Sequence, residues 1–102
     1  MANSNGTITV KSKSLNTQAK YENEEKDLYV DNLSIAKNAL TNTLTSTSGD
    51  FNRISDKTWV GRFTGTMSDG TMKYDISGVS LDDIAAVKAC IADIEAQVNA
   101  EN

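Results

Sequence analysis

An α+β fold, a small antiparallel sheet of three to five strands packed by a C-terminal helix, is what this sequence predicts. Three observations carry the prediction. Residues 59–78 alternate large apolar and polar side chains around Asp69-Gly70, a strong hairpin signal. Residues 81–100 place branched apolar side chains at 3-4-3-4 spacing behind a capping serine, the signature of an amphipathic helix. A chain of 102 residues is long enough for one core and too short for two, so residues 1–102 are read as a single domain.

The elements follow in chain order. Residues 1–6 are small and polar and read as a flexible arm. Thr7 to Lys11 alternates with period two and reads as a short strand with Ile8 and Val10 inward. Residues 14–27 show no clean period and are expected to be loop or a weak edge. The next segment is ambiguous. Leu28, Val30, Leu33 and Ile35 suggest strands around Asp31-Asn32, whereas Tyr29, Leu33, Ala36, Leu40 and Leu44 have the spacing of a helix face. The expectation drawn is a strand at 27–30 and a second helix over about 32–44, with the Thr/Ser-rich stretch 41–50 as a loop or fraying helix end.

The C-terminal half reads more directly. A two-residue type I′ turn at Asp69-Gly70 pairs Met67 with Met72, Gly65 with Tyr74 and Phe63 with Ile76. A loop one residue longer would set Phe63 against Asp75, so the apolar pattern selects the shorter turn. On this register Trp59, Gly61, Phe63, Gly65 and Met67 share a face that belongs in the core. Ser80 then caps a helix, with Asp83 three residues on as the acidic partner of a capping box. Ile84, Val87, Ile91, Ile94 and Val98 form one stripe of that helix; Ala85, Ala89, Ala92 and Ala96 form a second, about 140° around it.

Composition excludes several functions. Ten basic against fourteen acidic residues give a net charge of −4, which argues against nucleic acid or an anionic membrane as partner. Histidine is absent and cysteine occurs once, so there is neither the usual general base nor a thiolate metal set. Asp82 and Asp83 point about 100° apart on a helix and do not converge. Gly61, Gly65 and Gly70 lie on a strand pattern and precede no Lys-Ser/Thr, so they are not a phosphate loop. No apolar run exceeds four residues, which leaves no membrane span or signal-peptide core and points to cytoplasmic synthesis. Catalytic residues, cofactor, metal and small-molecule substrate are all expected to be absent.

What remains points to contact surfaces. Eleven threonines, ten serines and ten asparagines make a polar, uncharged exterior. A twenty-residue helix is ~30 Å long and a five-residue hairpin face only ~17 Å, so the last helical turns need cover from the 33–44 segment or from a neighbouring chain. Ala85, Ala89, Ala92 and Ala96, with Ile94 and Val98, are therefore the candidate interface. The expectation is a non-enzymatic structural subunit that assembles with copies of itself or other subunits, with a bacteriophage virion component as its most concrete form. The alternative is a small acidic inhibitor or regulator that binds one cellular protein.

Overall fold

A computed structural model describes residues 6–12, 16–41 and 43–100. Six strands, β1 (Thr7–Ser12), β2 (Asn16–Asn23), β3 (Leu28–Lys37), β4 (Leu44–Arg53), β5 (Trp59–Ser68) and β6 (Thr71–Ser77), form one antiparallel sheet in chain order. One helix among the described residues, α1 (Ile84–Ala100), follows them. The molecule is thus mostly sheet. The expected sheet of three to five strands and the expected second helix over 32–44 are both corrected. No helix among the described residues is long and apolar enough to cross a membrane. Of the expected N-terminal arm, residues 1–5 lie outside the described residues. Gly6 is not free: its N–H donates to Asp93 Oδ2 at 2.6 Å and its carbonyl accepts from Gln97 at 2.7 Å.

A β-bulge breaks the period-two pattern of β3, and the helix-like spacing beyond it joins Leu33 and Ala36, which lie on opposite faces, to Leu40, 96% exposed in the turn before β4. The β3–β4 pairing jumps from Val30↔Phe51 to Ser34↔Ser48, and on the other side Tyr21↔Val30 is followed by Ala19↔Leu33. The extra residue at Asp31-Asn32 shifts the inward set from Leu28 and Val30 to Leu33 and Ile35, so the spacing runs 2-3-2. Three-residue steps are the steps of a helix. Asn32 also repairs the ladder it interrupts. Its Oδ1 accepts the Asp50 backbone N–H at 3.0 Å, and its Nδ2 donates to the Asp50 carboxylate at 2.9 Å.

Strands β2 and β4 escaped detection for another reason: their inward positions are only partly apolar. β2 buries Ala19, Tyr21 and Asn23, and β4 buries Leu44, Thr47, Gly49 and Phe51. Hydrogen bonds make the polar members tolerable inside. Asn23 donates to Tyr21 Oη at 3.1 Å and accepts from the Lys26 N–H, while Thr47 Oγ1 donates to the Ser34 carbonyl at 2.7 Å.

The hairpin forms in the expected register, with Met67↔Met72, Gly65↔Tyr74 and Phe63↔Ile76. Asp69 at φ 51° and Gly70 at φ 81° supply the two positive values that a type I′ turn requires. A Cβ at Gly65 would strike the Tyr74 ring, so that ring does fill the gap left by the strand glycine.

One residue of β5 departs from the expectation. Trp59 is 55% exposed. The β4–β5 register slips between Phe51↔Gly61 and Asn52↔Trp59, which turns Trp59 to the outer face while Val60 points inward. There its Nε1 donates to Asp50 Oδ1 at 3.1 Å.

Helix α1 covers the inner face. Val87, Cys90, Ile91, Ile94 and Val98 are buried in one cluster with Tyr21, Leu28, Leu33, Leu44, Phe51 and Phe63. The last helical turns therefore find their cover within the chain, from β3 and β4. Asn99 Oδ1 also accepts the Leu44 N–H at 3.3 Å.

Candidate protein-contact site

The inner face is not covered evenly. Met72, Tyr74 and Ile76 of β6 point to the helix side yet are only half-buried. Between them and the flank of α1 runs a groove of about 430 Å³, lined by Tyr74, Ile76, Lys88, Ile91, Ala92, Glu95 and Ala96. Its floor is sheet, its wall is helix, and its open side is the unpaired edge of β6.

Four sets of contacts fix the helix and hence the groove. At its start, one guanidinium nitrogen of Arg53 reaches both Asp83 oxygens, at 2.9 and 2.8 Å. Hydrogen bonds from Arg53 and then Ser80 hold the Asp83 carboxyl below the usual range. Asp83 is also the residue whose carbonyl accepts the first helical bond, from Val87 N–H. The predicted cap is thus displaced: Ser80 Oγ donates to the Asp83 side chain at 3.0 Å, and the chain turns once before the helix begins.

On the flank away from the groove, Asp93 Oδ2 accepts from Tyr21 Oη at 2.7 Å and from the Gly6 N–H, while Oδ1 accepts from Gln97 at 2.9 Å. On the groove flank, Tyr74 Oη donates to Glu95 at 2.7 Å. At the far end stands the Asn99–Leu44 bond already described. A helix tied at both ends and along both sides keeps the groove at one width.

The polar groups that line the groove are those of Tyr74, Lys88 and Glu95. Burial, with the Glu95 carboxylate beside it, pushes the Tyr74 phenol well above its ordinary value, so it stays a protonated donor. Cys90 is free but buried on the opposite side of the groove wall, and burial pushes its thiol up. Among the described residues, no three histidine, cysteine, aspartate or glutamate side chains gather as metal ligands.

The structure divides the candidate interface of the sequence reading. Ile94 and Val98 are each 1% exposed and belong to the core, so they present nothing to a partner. Ala85, Ala89, Ala92 and Ala96 are exposed, and of these Ala92 and Ala96 line the groove. Sequence reasoning missed Tyr74, Ile76, Lys88 and Glu95 as members of the site. The hairpin register pairs Tyr74 and Ile76 with Gly65 and Phe63 and so sets them on the core-facing side, and the signal that they lie at its margin is topological: β6 is the last strand of the sheet.

The opposite face of the sheet is polar. Ser34, Ser46, Ser48, Thr64 and Thr66 form a carpet there, with Asn32, Asp50, Arg62 and Trp59 gathered at one side. Burial raises the Asp50 carboxyl, but hydrogen bonds from Asn32 and Trp59, with the Arg62 charge, bring it below the usual range. That cluster satisfies itself. No known protein family, curated protein or solved structure matches this chain.

Proposed function

We propose that this chain is a non-enzymatic assembly subunit that works by protein–protein contact, and that it makes the contact along β6. The observation that carries the reading is an exposed, regular strand edge running beside an apolar groove. An extended segment of a partner protein can add to such an edge, taking its affinity from main-chain hydrogen bonds and its specificity from alternate side chains that enter the groove. The exposed alanines favour this use, because small side chains let a partner approach the helix closely.

The test is a photo-crosslinking amino acid introduced at Ala92, on the groove wall, and separately at Ser48, on the polar face, in cells that make the protein. The expected result is a discrete adduct from position 92, identified by mass spectrometry, and none from position 48. Equal labelling at the two positions, or no adduct at either, overturns the reading.

A further inference from the structure

We infer that the partner of β6 is β6 of a second copy, paired antiparallel about Tyr74. The inference rests on the contact reading above and adds to it the identity and register of the partner.

The two edges of the sheet are not alike. The pairing of β1 with β2 shifts between Val10 and Ser12, and Lys11 folds across to the Asp31 carbonyl at 2.6 Å and its carboxylate at 3.0 Å. A bulge and a tethered charge are devices that keep an edge from pairing. β6 carries no bulge, and all seven of its residues pair with β5 in unbroken register.

The hydrogen-bond phase of β6 fixes which registers are open. The closing pair of the type I′ turn, Ser68↔Thr71, is the hydrogen-bonded one, so Thr71, Lys73, Asp75 and Ser77 direct their backbone groups to β5. Met72, Tyr74 and Ile76 direct theirs to the open edge. A second β6 must bring its own 72, 74 and 76 opposite these, and registers therefore come in two-residue steps.

Three antiparallel registers overlap substantially. In one, Lys73 stands directly opposite Lys73 of the second copy; in another, Asp75 stands opposite Asp75. Both set like charges face to face, which destabilises a strand pair. The third is centred on Tyr74. It sets Lys73 opposite Asp75 and Asp75 opposite Lys73, Met72 opposite Ile76, Thr71 opposite Ser77, and Tyr74 opposite its own copy. Only this register uses the whole strand, and only here do charge, polarity and hydrophobicity all match. Lys73 and Asp75 form no ion pair within the chain among the described residues, so both are available. The result is a closed two-fold contact of the isologous kind. It continues one sheet through two subunits, with both helices on the same face and the two grooves merged into one trough.

Sedimentation equilibrium of the full chain, from micromolar to millimolar, tests this with three variants. The expected result is a dimer that Asp75→Lys and Lys73→Asp each weaken at least about tenfold, since each change sets two symmetry-related pairs to repel. The double exchange Lys73→Asp/Asp75→Lys should restore it, because the strand is again self-complementary. Circular dichroism should show all three variants folded. A parent that stays monomeric throughout overturns the inference, as do single variants that dimerise like the parent or a double exchange that fails to rescue. A monomeric parent whose position 92 still crosslinks to a different protein separates the two failures: self-pairing falls and the contact reading stands.

Discussion

The hairpin β5–β6 and the strands that precede it are built on the same alternation but differ in one respect. Every ladder from β1 to β5 contains a register shift, and the β5–β6 ladder has none. Bulges bend a strand and increase its local twist, so the bulged strands have the means to curve around α1 and seal the core. The β5–β6 ladder lacks that device, and its last strand is left half-covered. Regularity and exposure thus coincide in β6: the feature that makes the strand simple also makes it available.

The largest effect that can test this contrast is at the seam between the two regions. Phe63 is fully buried, with Phe51 of the bulged part 5.2 Å away, centroid to centroid, and Tyr74 of the hairpin at 6.5 Å. Phe63→Ala should cost ~3–5 kcal/mol, a large part of the stability of a domain this size. Urea denaturation followed by circular dichroism reads it. A cost below ~1 kcal/mol would mean that the hairpin hangs from the core rather than belonging to it.

The contrast also accounts for what was legible in the sequence. The turn type, the pairing of Phe63 with Ile76 and the helix to within three residues of its start could be read because period two and period 3.6 run there without interruption. Strand β3 could not, because the extra residue at Asp31-Asn32 replaced a two-residue step with a three-residue one. Strands β2 and β4 could not, because Asn23, Thr47 and Gly49 stand where an apolar residue was needed to show the face. The candidate site was half legible. The alanine stripe named one wall, but the other depends on which strand ends the sheet, and strand order is not a local property of sequence.

A smaller effect separates the two kinds of local device. Gly70 has φ 81° and open space where a Cβ would stand, so Gly70→Val should cost ~1–3 kcal/mol through backbone strain alone. Asn32→Ala removes the side chain that satisfies the Asp50 N–H. At an exposed site, where water can replace the bond, it should cost about 1 kcal/mol or less. Thermal melts of the two variants side by side check the order, and a reversal would mean that the bulge, not the turn, holds the register.

Stability should respond to pH at both extremes, through different regions. Burial, more than any other influence, pushes the Tyr21 and Tyr74 phenols above their ordinary value of 10.0. The folded chain therefore keeps these protons where an unfolded chain loses them. The stability linked to them is intact below pH 10 and lost progressively above it. On the acid side, the hydrogen bonds of Arg53 to Asp83 and the Asn32–Trp59–Arg62 set around Asp50 hold both carboxyls below their ordinary 3.8. Their contribution is present above that value and lost below it, as the pH falls through the depressed values of the folded chain. Melting temperature against pH should give a plateau between these limits. Tyr21→Phe and Tyr74→Phe should each flatten the alkaline limb, and a limb that neither variant alters would mean that other groups set it.

The last expected effect concerns the residue four positions before Phe63 on the same strand. Strict alternation puts Trp59 and Phe63 on one face, and then Trp59→Ala should cost as much as Phe63→Ala. The register slip at Val60 puts them on opposite faces. Trp59 is 55% exposed, lies over Gly78 and keeps one hydrogen bond, to Asp50. Its truncation loses partial burial and one solvent-accessible bond, so the expected cost is about 2 kcal/mol, below that of Phe63→Ala. As the single tryptophan of the chain, it also reports its own surroundings. Iodide should quench its fluorescence strongly in the folded protein, and emission should shift little on unfolding. A native emission well to the blue, moving red in urea together with the circular dichroism change, would place Trp59 in the core and remove the bulge at Val60 from the description of β5.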